Sequence, residues 1–380
     1  MRKFFYILFI LALVACESEE ALPPQLPQRT VIAYLCGDNN LSSEIDVKIS
    51  AMQRGMAQVD ERNSLIVYAD YNNAMPKLLK VTASEIKTLE EYTECNSASA
   101  SNFGRILQKV MSDFPAQSYG LICFSHASGW LPPKALNNPT GFAGEETRSV
   151  RTIFEDESAE MELEDFAAAI PLTPAGDKFD FILFETCYMA GVETACALKN
   201  KTRYMLASSA EMLSNGFVEI YPSQLGGLFE PDAKLEDFAK AYFDYWNNRV
   251  GAARSATISL LDLSGMDSLA AVVRSMPVNT GSIAISSIQH FNRNAYHLFF
   301  DLSDYVSAIA TPEQKTAYEE VLSQIVRYQA ATPQFMQGQA YSFTIRRHSG
   351  LTVYIRQDGF PALNSAYGKL QWSRAVGIEE

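Results

Sequence analysis

Short apolar runs recur along residues 30–263 and constrain the fold of this chain more than any other feature. Runs that are apolar along their whole length are typical of parallel strands covered by helices on both faces. Amphipathic or turn-like segments separate them. We therefore predict a doubly wound α/β core with a mainly parallel sheet and helices on both faces. The predicted strands are TVIAYLC (30–36), NSLIVYAD (63–70), YGLICFSH (119–126), FDFILFET (179–186), RYMLASSA (203–210) and SATISLLDL (255–263).

Beyond residue 264 the pattern becomes mainly helical, with predicted helices at 265–275, 283–309 and 312–330. Two short apolar runs follow, AYSFTIRR (340–347) and GLTVYIR (350–356), and they predict a β-hairpin. Residues 30–263 are therefore predicted to form one catalytic-type domain. Residues 264–380 are predicted to form a helical and hairpin C-terminal extension packed on it.

The first residues, MRKFFYILFILALVAC, have a basic start and a twelve-residue apolar run from Phe4 to Ala15. A bilayer-spanning helix needs about 20 apolar residues, so this segment is typical of a signal peptide. LVAC resembles the lipobox of bacterial lipoproteins, which implies cleavage before Cys16 and lipidation of that residue. The alternative is an ordinary cleaved leader with an incidental cysteine. Residues 17–29 are acidic and then proline-rich, as expected of a tether.

The leader predicts a lipid-anchored protein of the bacterial cell envelope that contacts the membrane only through Cys16. CESEE resembles acidic export signals of Bacteroidetes lipoproteins, which favours the outer membrane or cell surface. Lys and Arg number 31 against 44 Asp and Glu, a net charge of −13, and no basic run is present. This composition argues against nucleic-acid binding.

The other five cysteines are odd in number and show no CxxC spacing, so neither a disulfide framework nor a zinc site is indicated. Cys36 and Cys123 lie in apolar runs and are predicted to be small core residues. His126 and Cys187 instead close the third and fourth predicted strands. Parallel sheets bind ligands at the carboxyl ends of their strands, so we expect these two side chains to share one rim.

A thiol beside an imidazole is the minimum for acyl transfer. The predicted helix that follows Cys187 would favour its thiolate, and backbone N–H groups near His126 would stabilise an oxyanion. Taken alone, a single cysteine and a single histidine are equally consistent with core packing and a structural hydrogen bond. The surrounding segments bear on that choice.

Five segments, in the same order, resemble the clostripain-like cysteine peptidases, a family with a caspase-like α/β fold. The resemblance implies that Cys187 is the nucleophile, His126 the general acid/base, and a peptide or protein the substrate, with no organic cofactor. Calcium binding is known in this family, but the acidic stretch 155–165 lacks EF-hand spacing and equally suits a solvated helix start. The metal ligands stay unknown. The segments are TVIAYLCGDNNL, FPAQSYGLICFSHASGW, FETCYMAGVETACALKNKTRYMLASSAEMLSNGFVEIYP, ISLLDLS and GLTVYIR.

This sequence departs from the family at two points. It has Ser125-His126-Ala127 where the family usually has Asp-His-Gly, and Ala127 does not tolerate a positive φ as freely as glycine. Glu185 stands where the family typically places the Asp that lies in the S1 pocket. Because Glu185 keeps the negative charge, we predict cleavage after Arg or Lys at P1.

Asp38, Trp130 and Ser209 are further candidates for substrate binding; an Asx turn, simple packing and strand-end capping are their respective alternatives. Family members often mature by self-cleavage between the two dyad residues. The loop 131–155 holds Arg148 and Arg151, which would suit an S1 carboxylate.

Two other classes of function stay open. The departures are compatible with a weak or inactive family member that acts as a surface lipoprotein binding peptides or proteins. A sugar-binding or sugar-hydrolysing lipoprotein would fit the compartment, but no pair of carboxylates can be placed together from the sequence.

Overall fold

The structure, a computed structural model, describes residues 26–93, 95–132, 134–140, 153–156, 159–277 and 283–378. The strands in these ranges are β1 (Arg29–Gly37), β2 (Ser64–Tyr71), β3 (Ala74–Val81), β4 (Ile86–Glu91), β5 (Ser118–Phe124), β6 (Ile153–Asp156), β7 (Ala159–Met161), β8 (Phe179–Glu185), β9 (Thr202–Ala207), β10 (Thr257–Asp262), β11 (Phe300–Asp301), β12 (Val326–Ala331), β13 (Gln334–Phe335), β14 (Phe343–Thr344) and β15 (Thr352–Val353).

The α-helices of the same ranges pack on the two faces of the sheet or belong to the C-terminal extension. They are α1 (Ile45–Gly55), α2 (Ala100–Asp113), α3 (Leu163–Ala169), α4 (Val192–Leu198), α5 (Tyr221–Gln224), α6 (Leu235–Asn247), α7 (Met266–Arg274), α8 (Leu302–Ile309), α9 (Pro312–Ile325), α10 (Pro361–Gly368) and α11 (Gln371–Val376). No helix in the described part of the chain is long and apolar enough to cross a membrane.

A mixed sheet of nine strands forms the centre, in the order β12-β10-β9-β8-β5-β1-β2-β3-β4. Its middle is parallel: β1 pairs with β2 and β5, and β8 pairs with β5 and β9. The outer strands β3, β4, β10 and β12 are antiparallel. The predicted doubly wound core is confirmed, and the two antiparallel borders are a difference from the prediction.

Side chains of the central strands alternate between two apolar layers, as the pleat of a strand requires. In β1, Ile32 and Tyr34 belong to the layer covered by α2, α3, α4 and α7, whereas Val31 and Leu35 belong to the layer covered by α1, α5 and α6. Both layers are buried from solvent, which explains the uninterrupted apolar runs. The predicted burial of Cys36 and Cys123 is confirmed, since neither is exposed to solvent.

The C-terminal extension differs most from its prediction. Residues 283–299 are not an α-helix, and only α8 forms in the segment predicted to be helical to residue 309. Asn292 gives the reason: it donates from Nδ2 to the carbonyl of Tyr296 and accepts the N–H of Leu298, which replaces helical hydrogen bonds.

The predicted helix 312–330 ends at Ile325, and β12 continues the chain along the edge of the sheet. The predicted hairpin is also wrong, because β14 pairs with β13 and β15 pairs with β11. Residues of the extension, among them Leu302 and Trp372, nevertheless belong to the same apolar layer as α2. The extension therefore shares a core with the sheet and holds its carboxyl edge.

Candidate active site

His126 and Cys187 lie at matching positions beyond two neighbouring parallel strands. Phe124 of β5 is the register partner of Glu185 of β8. Each reactive residue follows its strand by two positions. Because parallel strands end at the same edge of a sheet, the imidazole and the thiol are delivered to one rim, as the sequence pattern predicts.

The two loops that carry these residues are in direct contact. Gly129 has φ +64°, and a Cβ added there would lie 2.8 Å from the carbonyl oxygen of Tyr188 and 2.9 Å from the ring of Phe299. Tyr188 itself has φ +60°, and its ring stacks on Phe299 at 4.6 Å. The left-handed conformation in the histidine loop thus falls on Gly129, so the Cβ of Ala127 meets no backbone restriction of that kind.

The Cys187 thiol is neutral in this arrangement. Its Sγ accepts a hydrogen bond from the backbone N–H of Met212 at 3.3 Å. Burial raises the pKa of this thiol to about 12, the Met212 N–H lowers it, Glu211 raises it and Arg293 lowers it. The backbone donor to sulfur is therefore Met212, whereas the prediction assigned the thiolate's support to the helix after Cys187.

His126 is held by an amide from the first loop of the sheet. Its Nε2 lies 2.6 Å from Oδ1 of Asn40, in the turn that follows β1. An amide oxygen only accepts, so Nε2 carries a proton and Nε2–H donates a hydrogen bond to Oδ1 of Asn40. This contact fixes both the tautomer and the plane of the ring.

A cavity of about 770 Å³ opens beside His126. Its lining includes Asp38, Asn40, Ala127 and Lys134, whereas Cys187 lies outside the lining. Its volume lies within the range of about 300–1,000 Å³ that is common for ligand pockets. Asp38 therefore lines the same cavity as His126, and its part in substrate binding stays a prediction.

Glu185 is the last residue of β8, and its carboxylate is bound by internal partners. Its Oε1 accepts from Nζ of Lys48 and from the N–H of Phe217, both at 2.6 Å, and its Oε2 accepts from the hydroxyl of Tyr221 at 2.7 Å. A Cβ on Gly216 would lie 2.1 Å from Oε1, so the chain is built closely around this carboxylate. Glu185 is 3% exposed, and its part in substrate binding stays a prediction.

Trp130 and Ser209, also predicted to bind substrate, are packing residues here. The Trp130 ring is 4% exposed and packs on Tyr354 and Tyr367, with ring centroids 5.0 and 4.8 Å away. Ser209 is fully buried, and its Oγ lies 3.0 Å from Nε2 of His348. Burial lowers the pKa of His348 to about 3, so this histidine is neutral at pH 7.

The described residues contain no group of three or more His, Cys, Asp or Glu side chains placed to hold a metal ion. Within the acidic stretch 155–165, Asp156 accepts the backbone N–H of Ser97, and Glu164 accepts the backbone and side-chain N–H groups of Gln371 at 3.0 and 2.8 Å. These carboxylates hold the fold together. The candidates Cys16, Arg148 and Arg151 lie outside the described residues.

Several residues of the site were not found from the sequence. Lys48 left one signal: it stands on the apolar face of α1, three residues after Ile45 and four before Met52, where a charged side chain requires a buried partner. No local sequence pattern predicts the roles of Met212 and Arg293. Met212 contacts Cys187, and Arg293 contacts Glu211, from distant segments of the chain.

Comparison with known proteins supports a relationship over most of the chain. A family model described as the clostripain family matches residues 33–358. No curated protein matches the chain. Among solved structures, an inactive zymogen of a C11 protease from Parabacteroides distasonis is 30% identical, with 93% of this chain and 99% of that chain covered and a TM-score of 0.79.

Two further structures come from Bacteroides thetaiotaomicron. A secreted C11 cysteine protease in complex with an irreversible peptide inhibitor is 25% identical, with 92% of this chain and 99% of that chain covered and a TM-score of 0.78. A secreted C11 cysteine protease called iotapain is 23% identical, with the same coverage and TM-score, and is evidence for the fold alone.

Proposed function

Because the chain belongs to the clostripain family of cysteine peptidases, we propose that it is an endopeptidase with Cys187 as nucleophile and His126 as general acid and base. The observation that carries the proposal is the register of β5 and β8, which gives the thiol and the imidazole equivalent positions at one edge. Asn40 acts as a positioning residue through its hydrogen bond to His126.

The neutral thiol determines how the reaction begins. With its pKa raised to about 12, Cys187 holds few thiolates at pH 7, so its proton must move to His126 as Sγ attacks the scissile carbonyl. The new C–S bond leaves a tetrahedral oxyanion, for which backbone N–H groups of the loop after His126 are the candidate donors. His126 then protonates the leaving amine, and water releases the acyl group from sulfur.

We propose that the scissile bond follows Arg or Lys, as the resemblance to clostripain-like peptidases implies. Such a preference needs a carboxylate within reach of the P1 side chain. Glu185 is bound to Lys48 and buried, so a different carboxylate must supply that charge.

The neutral thiol also supports a resting form that precedes activation. We propose that self-cleavage after Arg148 or Arg151 activates the chain. Incubation of wild type should release a product that ends at one of these residues, as measured by intact mass, whereas Cys187→Ala stays intact. The same cut in Cys187→Ala would point to an outside protease.

Export and lipidation at Cys16 are the last element of the proposal. The leader sequence supports them, and one structural neighbour is described as secreted. Expression of the full chain with a labelled fatty acid should give a membrane-bound, labelled protein. Cys16→Ser should lose the label, and equal labelling of both proteins would contradict the assignment.

The decisive test is a panel of fluorogenic peptides with Arg, Lys or an uncharged residue at P1, assayed in reductant with added calcium or with a chelator. Cys187→Ala and His126→Ala should each reduce kcat by at least about 10³-fold, as for other acyl-transfer dyads. Cys95→Ala removes a partly buried thiol and serves as the matched control. Peptide binding without turnover under every condition would favour the rival, a peptide-binding lipoprotein.

A further inference from the structure

Glu211 and Arg293 form an ion pair beside the nucleophile, with Nε of Arg293 2.5 Å from Oε2 of Glu211. We propose that Glu211 is the carboxylate that binds the basic P1 side chain, and that Arg293 is an internal guanidinium which the substrate displaces. This inference rests on the proposed endopeptidase function and names the residues that read its substrate.

Glu211 is placed next to the reacting sulfur by the backbone. The N–H of Tyr188 bonds the carbonyl of Ala210 at 3.0 Å, and the N–H of Met212 lies 3.3 Å from Sγ of Cys187. Glu211 stands between these two contacts. Its side chain is 30% exposed, so a substrate can reach it from solvent.

Two other carboxylates near the nucleophile turn, Glu185 and Glu44, already have internal partners. Glu185 is buried on Lys48. Glu44 lies 3.3 Å from the same ammonium and also accepts the Ser214 hydroxyl at 2.6 Å and the Asn215 N–H at 3.4 Å. Both would have to give up internal partners that no substrate replaces, whereas Glu211 would exchange one guanidinium for another.

Arg293 reaches the site from a segment that crosses the nucleophile turn, which we term the strap (Phe291–Phe299). Phe299 anchors the strap on Tyr188 by stacking. Asn294 anchors it on the other side through a 3.2 Å hydrogen bond from its Nδ2 to Oδ1 of Asn137. Arg293 directly precedes Asn294; its side chain is 24% exposed, and its Nη1 also donates to the carbonyl of Ala340 at 3.4 Å.

Arg293 therefore competes only weakly with a basic P1 side chain for the Glu211 carboxylate. Arginine binds carboxylates through a planar fork, and an entering Arg side chain offers the same donors. A partly exposed ion pair contributes little net free energy, so its displacement should cost a substrate only a few-fold in affinity. The anchors of the strap do not depend on this pair, so the strap can keep its place while Arg293 swings into solvent.

The test compares how fast the mature enzyme cleaves two peptides that differ only in having Arg or Gln at P1. Glu211→Gln should reduce the Arg-to-Gln ratio of kcat/KM by roughly tenfold to hundredfold, the loss expected for a charged hydrogen bond. Arg293→Ala should lower KM for the Arg peptide by roughly two- to fivefold, with KM for the Gln peptide unchanged. Glu219→Gln and Arg249→Ala, at exposed positions, are the matched controls.

A second measurement does not need catalysis. Agmatine carries a guanidinium without a peptide, and its binding to Cys187→Ala can be followed by calorimetry. Binding should tighten when Arg293→Ala is added and disappear when Glu211→Gln is added. If no peptide is cleaved but agmatine binding still responds to both substitutions in this way, the proposed function is wrong. The inference that Glu211 binds a guanidinium is then still supported.

Three results would overturn the inference. One is an unchanged Arg-to-Gln ratio in a folded Glu211→Gln variant. Another is an Arg293→Ala effect of equal size on both peptides, which would mean that Arg293 acts on the thiol and not on P1. The third is agmatine binding that ignores both substitutions.

Discussion

The ammonium of Lys48 lies 2.6 Å from Oε1 of Glu185, and the two side chains are 0% and 1% exposed. Nζ also stands 4.1 Å from the centre of the Phe124 ring. The carboxylate expected to recognise substrate is thus the partner of a lysine on α1. A buried pair of this kind ties the helix to the end of β8 and removes Glu185 from the surface of the site.

Breaking this pair should cost stability more than selectivity. Glu185→Ala leaves the buried Lys48 with the more distant Glu44, 3.3 Å away, and removes the acceptor of the Phe217 N–H and the Tyr221 hydroxyl, so we expect a loss of about 3 kcal/mol in the free energy of unfolding. The double variant Lys48→Met/Glu185→Gln should lose less than the sum of the single variants. Urea unfolding followed by circular dichroism measures both.

The matched control is the exposed pair Lys240–Asp244 on α6, where Lys240→Ala should change stability by less than about 1 kcal/mol. A folded Glu185→Ala variant with unchanged stability and a lost preference for basic P1 would return Glu185 to the substrate pocket.

The parts of the site that the sequence predicts are those with local causes. His126 and Cys187 each follow an apolar strand, and parallel pairing then sets them at one edge without further information. The assignment of Glu185 to substrate binding rests on the family resemblance and not on a local pattern. The sequence does not show that Lys48, 137 positions away along the chain, binds this carboxylate. Only the fold shows which of two carboxylates, Glu185 or Glu211, meets a buried lysine.

The C-terminal extension escaped prediction for a related reason. Residues 283–299 have apolar spacing compatible with a helix, but side-chain bonds of Asn292 and stacking of Phe299 on the nucleophile turn stabilise an irregular path. Tertiary contacts there outweigh local propensity. Arg293 lies on that path, so the sequence pattern does not predict its position beside Glu211.

Asn40 should matter for rate and little for binding. Asn40→Ala removes the acceptor that fixes the Nε2 tautomer of His126, and we expect kcat to fall by about 10²-fold, the cost of a misplaced catalytic group. Asn40→Asp should keep an acceptor and retain more activity. Steady-state kinetics on one peptide checks both. A tenfold rise in KM at constant kcat in Asn40→Ala would instead place Asn40 in substrate binding.

The raised pKa of Cys187 predicts slow alkylation at neutral pH. Thiolate is the reactive form, so labelling by iodoacetamide should rise steadily with pH towards about 12. A cysteine in an unstructured peptide, with a pKa of about 8.5, should level off at about pH 10. Mass spectrometry of the peptide that contains Cys187 measures the rate. Fast labelling at pH 7 in the uncleaved chain would show that the thiolate is already formed before activation.

Glu193 provides a test that depends on the fold and not on catalysis. This carboxyl on α4 is 2% exposed and accepts the N–H of Tyr354 at 3.0 Å. Burial raises its pKa to about 7, against about 4.3 in an unfolded chain. The neutral carboxyl therefore contributes stability that is fully present below pH 4.3 and is lost as the pH rises through 7.

Glu193→Gln keeps an acceptor for Tyr354 and removes the buried charge, so it should be more stable than wild type at pH 8 by roughly 3 kcal/mol. The difference should fall to about 1 kcal/mol at pH 5, because the unfolded carboxyl is already largely ionised there. Urea unfolding at both pH values measures it, with Glu236→Gln, on the exposed face of α6, as the control. A Glu193→Gln chain that is less stable than wild type at pH 8 would show that the ionised carboxylate is bound by partners stronger than the Tyr354 N–H.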